Sequence, residues 1–537
     1  MTVTLRHSGE FVAIPPHRHW LAIDPKSTKA LHNLDKKAAL PDVPTRLEMA
    51  FEAVMTDWWM LGRRLGAEPS GYWAHATACS PNASEMGSVL AWARIVMDCA
   101  AESHRTLVIC DDPWLYRHLA MRPGVDAGQP PSLWPIKFRS ALRGIISRIR
   151  HACRLAFLSC VLNLGARQVP LNGASLLVYG HPQSGSDGTD AYFGDLLFQT
   201  PGLIRILHVD AKWATVKRLV KDRRTLSLHA WGNPFRALQL IWTRWRPADA
   251  ENSDPYIWLI RRQAVLEGAN AQALMIRWQE ECQRAWLRDA RPSVVAWPWE
   301  NLCWERSFVK DARTVGTRTI GYQHATIGRH AANQSPESNV SVDTELPDRI
   351  ICNGEASRLQ LTKWGMPESK IQIGGAYRAP KPRRISWHPE APIYVALPMK
   401  DAVAIEIIDA IKTITADDLQ FLIKAHPMTQ LLFPETHNMR RTHNQLGDFG
   451  SLRAVVYAAS TVGLEALLSG LPTLRFMPAA SIAIDILSPP AVALKVTAQT
   501  LETEIRRAEP GDIPAFENFF SPVDDEVWRE VLDVADK

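Results

Sequence analysis

The chain has 537 residues, more than one ordinary hydrophobic core accommodates, so at least two domains are expected. Hydrophobic residues make up 46% and charged residues 22%, the balance of a globular protein, and a formal net charge of only +5 sets no demand for nucleic acid as a partner. The 8 cysteines are scattered with no CxxC pair and no Cys/His spacing suited to zinc, which excludes a disulfide framework or a zinc module and fits a reducing cytoplasm.

The opening residues Met1 to His7 lack the apolar core of a signal peptide, and no apolar run is long enough to span a bilayer. Continuous apolar runs then alternate with helix-like stretches. Trp20–Asp24, Thr106–Cys110 and Ser175–Tyr179 read as strands, with a helix over Glu85–Ala101 between the first two. Strands covered on both faces carry unbroken apolar runs, so this pattern predicts α/β architecture with parallel sheets.

One segment departs from the alternation. Between Asp126 and Asp187 there is no acidic residue, and over 127–172 Lys137, Arg139, Arg143, Arg148, Arg150, Arg154 and Arg167 interleave with Leu142, Ile145, Ile146, Ile149, Leu155, Phe157 and Leu158. This is a basic, amphipathic, helical pattern. It fits either a surface helix with a solvated arginine face or peripheral contact with the inner membrane surface.

After the strand at 175–179 comes Gly185-Ser186-Asp187-Gly188-Thr189-Asp190, where Asp187 and Asp190 are candidates for acceptor binding; a turn leading to a helix cap is the simpler reading. A helix over Gln263–Asp289 and a strand over Ser293–Trp297 follow, and then Pro298-Trp299-Glu300-Asn301-Leu302-Cys303-Trp304-Glu305. Glu300 stands at a strand's carboxyl end among tryptophans, where burial raises a carboxyl toward the range of a general base. Glu305 is the second candidate, with a structural role beside Arg306 as its alternative. The strand Arg318–Tyr322 delivers Gln323 and His324 to the same edge, and further strands are expected at Arg349–Cys352 and Ile371–Gly374.

The proline-rich basic stretch Arg378–Arg384 reads as a linker. It divides the chain into an N-terminal domain over 1–380 and a C-terminal domain over 388–537, whose first strand is Pro392–Leu397. Leu422–Ala425 ends in His426-Pro427, and Val455–Ala459 ends in Ser460-Thr461-Val462-Gly463-Leu464-Glu465. Polar groups at the carboxyl ends of parallel strands, with a helix starting at the second, form the setting in which open α/β sheets hold phosphate. Pro427 would stop its strand, Gly463 would permit close approach, and Glu465 would favour the helix dipole or bind a ribose hydroxyl. Simple capping by Ser460 or Thr461 is the alternative. Phe516–Lys537 is expected to pack back across the domain interface.

With those residues, Ile423–Pro427 followed by Ser460–Ala466 resembles the C-terminal half of GT-B glycosyltransferases that use CMP-activated sugars, such as bacterial polysialyltransferases and capsule β-Kdo transferases. Thr319–His324, Pro347–Gly354 and Ile371–Gly375 resemble the end of the N-terminal domain in that clan, a layout shared with CDP-glycerol glycerophosphotransferases. Trp297–Glu305 resembles a motif of bacterial surface-carbohydrate (O-antigen) biosynthesis proteins. The resemblance spans roughly Asp187 to Leu474. It implies two Rossmann-like domains facing across a cleft, with His426 meeting the phosphate of a CMP-linked acidic sugar beside Ser460 and Thr461; the residues' own chemistry adds Glu300 as the catalytic carboxylate and Pro427, Gly463 and Glu465 around the donor. Gln323, His324, Asp187, Asp190 and Glu305 would lie toward the acceptor, a surface polysaccharide or lipid-linked glycan. Neither a metal nor a resident cofactor is expected, since no P-loop, GxGxxG, Asp-x-Asp or HExxH pattern stands at a suitable place. A CDP-glycerol-type polyol-phosphate transferase, a non-catalytic GT-B scaffold in glycan assembly and a nucleotide-sugar epimerase are the alternatives.

Overall fold

The computed structural model describes residues 2–10, 16–24, 34–69, 71–74, 84–163, 172–247, 254–268, 270–379, 382–427, 429 and 431–533. Residues 164–171 of the basic segment, 380–381 of the linker and 534–537 of the C-terminal stretch lie outside these. Every strand pairing between the named strands is parallel, as the unbroken apolar runs predict.

The first sheet is small. Strands β1 (Val3–Arg6), β2 (His19–Ile23), β3 (Thr106–Cys110) and β4 (Val125–Ala127) stand in the order β2-β3-β1-β4. Helices Val43–Ala53, Met55–Ala67 and Met86–Ala101 pack against it, burying Phe51, Trp58, Leu61 and Val96. The stretch through residue 380 therefore carries this four-stranded unit in addition to a larger Rossmann-like sheet.

The larger sheet has seven strands: β5 (Ser175–Val178), β6 (Ile204–Leu207), β7 (Thr225–Ser227), β8 (Val294–Pro298), β9 (Arg318–Gln323), β10 (Arg349–Cys352) and β11 (Ile371–Ile373). Their order is β11-β10-β9-β8-β5-β6-β7, so the chain enters at β5, winds outward, and returns to the other side of β5 at β8. The helix expected over 263–289 is two helices, Ile257–Leu266 and Gln272–Ala290. They are separated around Gly268, whose Cα lies so near the Trp245 carbonyl that a Cβ would sit 2.5 Å from it.

After a two-stranded pairing of β12 (Ser386–Trp387) with β16 (Ser451–Leu452), the C-terminal sheet repeats the same plan. Strands β13 (Ile393–Ala396), β14 (Phe421–Lys424), β15 (Met439–Arg441), β17 (Ala454–Tyr457), β18 (Thr473–Phe476) and β19 (Leu494–Val496) take the order β15-β14-β13-β17-β18-β19. The winding reverses at β13/β17 as it does at β5/β8. In such sheets the crevice for a ligand lies outside the carboxyl ends of the two strands flanking the reversal.

The three units are tied together by charge and by chain crossings. Glu48 of the first unit, nearly fully buried, accepts hydrogen bonds from Arg475 Nη1 on β18 (2.7 Å) and Lys495 Nζ on β19 (2.6 Å) and pairs with Arg329 from the loop after β9. In that loop His330 Nδ1 accepts the Asp485 backbone N–H at 3.0 Å, and its Nε2 lies 3.1 Å from Glu52 Oε1. Gly328 lies so close to the 485–486 backbone that a Cβ would sit 2.1 Å from the Asp485 carbonyl oxygen. Segments following β9 and β18 thus meet, and the carboxyl edges of the two large sheets face each other. As expected, the chain end returns. The helix Asp525–Leu532 seats Trp528 against Phe193 and Tyr322 of the seven-stranded unit, with its Nε1–H donating to the Gly374 carbonyl at 2.9 Å.

Candidate active site

At the reversal of the seven-stranded sheet, the carboxyl ends of β5, β6, β8 and β9 deliver Tyr179, His208, Glu300 and His324. The backbone that carries Glu300 is heavily constrained. Asn301 takes a left-handed conformation (φ 59°), which asparagine tolerates better than most residues. Its buried side chain is locked by hydrogen bonds from Nδ2 to the carbonyls of Asn333 (3.0 Å) and Ser335 (3.2 Å) and to Asn339 Oδ1 (2.8 Å). Glu305, fully buried one turn into the next helix, accepts the backbone N–H of Glu300 (3.1 Å), that of Asn301 (3.0 Å) and the Trp297 indole N–H (3.1 Å) on Oε2. Glu305 is therefore the strut of this loop. The expected pairing with Arg306 is absent, because that guanidinium donates to the Asn301 carbonyl and to Ser338.

The half-buried Glu300 side chain has no hydrogen-bond or ion-pair partner among the described residues, and burial alone raises its pKa above the ordinary glutamate value. Beside it runs a chain of rings. His324 meets Tyr192 edge-on at 5.0 Å, Tyr192 lies 6.1 Å from Tyr179, Tyr179 4.8 Å from His208, and His208 4.8 Å from Trp304. Three polar atoms in this chain are buried without a partner: Tyr179 Oη, His208 Nε2 and His324 Nδ1. Burial, then the Arg378 guanidinium, lowers the His324 pKa to about 4, so its imidazole is neutral near pH 7. Arg378 lies over the Tyr192 ring at 5.7 Å. Orphaned buried donors and acceptors cost stability unless something satisfies them.

The other sequence candidates of this unit lie elsewhere. Gln323 is internal, donating to the Ala325 carbonyl (2.6 Å) and accepting from Gln334 Nε2 (3.1 Å). Asp190 is buried 3.6 Å from the buried Arg205 and also accepts the backbone N–H of Tyr192 and the Ser184 hydroxyl. Asp187 is exposed and closes a turn onto Thr189. The structure brings neither aspartate into the Glu300 group.

In the C-terminal unit, half-buried His426 lines a cavity of about 560 Å³ with Lys424, Phe433, Arg441, His443 and Gln445, and burial lowers its pKa. This cavity opens at the carboxyl ends of β14 and β15, with the exposed Pro427 at its rim. Ser460 and Thr461 do not line it. They follow β17, on the far side of β13, which puts roughly 10 Å of sheet between the strands carrying the two motifs. The Ser460 hydroxyl accepts the Val462 N–H (3.3 Å), and Thr461 is exposed at the start of the seven-residue helix Val462–Leu468, with no side-chain cap. Gly463 makes its close approach to the Tyr457 ring, 2.4 Å from where a Cβ would stand. Glu465 is half-buried, with its pKa raised by burial.

Sequence reasoning missed Lys400. It follows β13, one of the two strands at the reversal, and is half-buried with no ion pair among the described residues; burial lowers its pKa, partly offset by Glu85. His208 and Asp210, 3.1 Å apart, were also missed, although Ile204-Arg205-Ile206-Leu207-His208 has the same apolar-run-then-histidine pattern that drew attention to His426.

Two doubly wound parallel sheets with facing carboxyl edges make the architecture GT-B-like. No family model matches the chain, and none of the curated proteins does. Among solved structures the chain is similar to a UDP-N-acetylglucosamine 2-epimerase from Rickettsia bellii, at 12% identity and TM-score 0.40 over 67% of this chain and 96% of that one. It is also similar to CalG4, the calicheamicin glycosyltransferase (11%, TM-score 0.38, 68% and 95%), and to the glycosyltransferase SnogD from Streptomyces nogalater (14%, TM-score 0.33, 65% and 97%).

Proposed function

We propose that this chain is a metal-independent glycosyltransferase in which Glu300 is the general base toward an acceptor hydroxyl. The observation that carries the reading is the partner-free carboxylate of Glu300, raised by burial and held at the crossover of the acceptor-side sheet by Asn301 and Glu305. A base needs an uncommitted lone pair within reach of the proton, and a raised pKa brings its proton affinity nearer the operating pH. Tyr179, His208 and His324 would hydrogen-bond sugar hydroxyls, and the aromatic rings would stack on sugar faces.

The donor would lie across the carboxyl edge of the C-terminal sheet. Its phosphate would be met by Lys400 at the reversal, between His426 on one side and Ser460 and Thr461 on the other. A departing nucleotide gains negative charge, and fixed cationic and N–H or O–H donors stabilise it without a metal. Pro427 would shape the His426 turn, and Glu465 would stand where a ribose hydroxyl could reach it. The order of the His-Pro and Ser-Thr motifs supports a CMP-linked acidic sugar, Kdo-like or sialic-acid-like, as donor and a growing surface glycan or lipid-linked glycan as acceptor. The cationic lining of the His426 cavity by Lys424 and Arg441 suits an acidic sugar or its phosphate.

The test is a thermal-shift series with CMP, CDP, UDP and GDP, followed by transfer assays with the nucleotide that stabilises the protein. Selective stabilisation by CMP and acceptor-dependent release of CMP support the proposal. Stabilisation by UDP alone reassigns the donor. Donor turnover without acceptor indicates an epimerase, and no response to any nucleotide indicates a scaffold.

A further inference from the structure

The helix Trp134–Leu162 buries one stripe and exposes a second apolar one. Gly144, Arg148, Ala152, Leu155 and Leu158 face the protein. On the opposite side Phe138, Leu142, Ile146, Ile149 and Phe157 recur at helical intervals of three, four or eight, and every one is exposed, Phe138 at 56% and Ile146 and Phe157 at 59%. Single exposed apolar residues are ordinary, but a line of them along a 29-residue helix roughly 40 Å long is not. The neighbouring helix Pro234–Gln239 and the turn after it extend the surface with Phe235 and Trp242, 76% and 77% exposed. A cavity of about 750 Å³ lies between Phe138, Leu142 and Ile145 on one side and Trp242, Arg244 and Arg246 on the other.

The charge around this apolar line has one sign. Exposed Arg139, Arg143 and Arg150 flank it, and no ion pair engages them among the described residues. Arg244 and Arg246 border the other side. No acidic residue occurs in the sequence from 127 to 186 or from 232 to 247, and Arg236 pairs with Glu281 at 3.6 Å. An occupant must therefore offer both an apolar phase and negative charge. A second copy of the same face would bring like charges together, and a nucleic acid would leave the apolar line unsatisfied.

We infer that this face docks the protein on an anionic lipid bilayer. The helix lies in the plane of the interface with Phe138, Ile146, Phe157 and Trp242 in the acyl boundary and the arginines among acidic headgroups. Among the described residues no helix is long and apolar enough to cross a membrane, so the contact is peripheral. It stands independently of the transferase reading, because none of its residues belongs to the candidate active site.

The experiment is co-sedimentation of the full chain with vesicles of phosphatidylcholine alone and of phosphatidylcholine mixed with phosphatidylglycerol, at low and high salt, with light scattering to fix the oligomeric state. The wild type binds the mixed vesicles at least tenfold more tightly than the neutral ones and releases as salt rises. Ile146→Asp, and separately the pair Arg143→Glu and Arg150→Glu, reduce that binding at least tenfold while the melting temperature holds. The charge-reversal pair tests the surface even if Ile146→Asp misfolds. No binding, equal binding to both vesicle types, variants that bind like wild type, or a stable dimer that Ile146→Asp dissociates would each overturn the inference.

Discussion

Glu305 holds Glu300 in place: its carboxylate accepts the Glu300 backbone N–H at 3.1 Å, so one buried acid of the Trp-Pro-Trp-Glu-Asn-Leu-Cys-Trp-Glu segment orients the other and leaves it unpaired. The two glutamates divide the work by environment. Glu305 receives three N–H donors, whereas Glu300 receives none on its side chain.

This division predicts different consequences for the two. If Glu300 is the base of the proposed transfer, Glu300→Gln removes it but no side-chain contact, so transfer should fall by about a hundred- to ten-thousand-fold with the melting temperature unchanged or raised. The acid limb of the wild-type rate profile, at a pH above the ordinary glutamate pKa because burial disfavours the ionised form, should vanish in the variant. A pH–rate series on both proteins measures this. Glu305→Ala instead orphans three donors and should cost about 3 kcal/mol, read by urea unfolding, with activity lost through displacement of Glu300.

Glu48 supplies a pH dependence of stability. Burial would raise its pKa, but Arg475, Lys495 and Arg329 overcome this and bring it from 4.5 down to about 2. A carboxylate depressed by folding contributes stability that is complete above the unfolded value and disappears as pH falls toward the folded one. Thermal melts should therefore hold from pH 7 to about 5 and decline between about pH 4.5 and 2. Glu48→Gln should lower stability at pH 7 by about 3 kcal/mol and flatten that decline, since it leaves buried Arg475 without its closest carboxylate.

Lys400 separates ligand binding from stability. Its ammonium is half-buried and its pKa is depressed by burial, so Lys400→Met should leave the melting temperature unchanged or raise it. If it meets the donor phosphate, the same change should abolish most of the thermal shift given by the cognate nucleotide. His426→Ala should reduce that shift too, whereas Gln323→Ala should lower stability before it affects nucleotide binding.

Gly463 distinguishes packing from ligand approach. A Cβ there would stand 2.4 Å from the Tyr457 ring, so Gly463→Ala should cost about 1–3 kcal/mol of stability even without ligand, measured by chemical unfolding.

The sequence by itself determined the architecture. Runs such as Thr106–Cys110 and Arg349–Cys352 are apolar on both faces, and only strands covered on both sides tolerate that, so parallel α/β sheets were legible, often to the residue. Placement of Glu300 at a strand's carboxyl end was legible for the same reason. Strand order, however, depends on contacts between segments tens to hundreds of residues apart. Tertiary structure alone decided that the chain opens with a separate four-stranded unit, that β13 lies between the His426 and Ser460 motifs, and that Lys400 is half-buried after β13. It also decided which carboxylates are paired. Asp190 and Glu305 look as available as Glu300 in a string of letters, and only the partners that fold onto them, Arg205 and the 297–301 loop, take them out of circulation. Local pattern reports what a segment can be, whereas pairing and burial are settled by whichever distant segment arrives beside it.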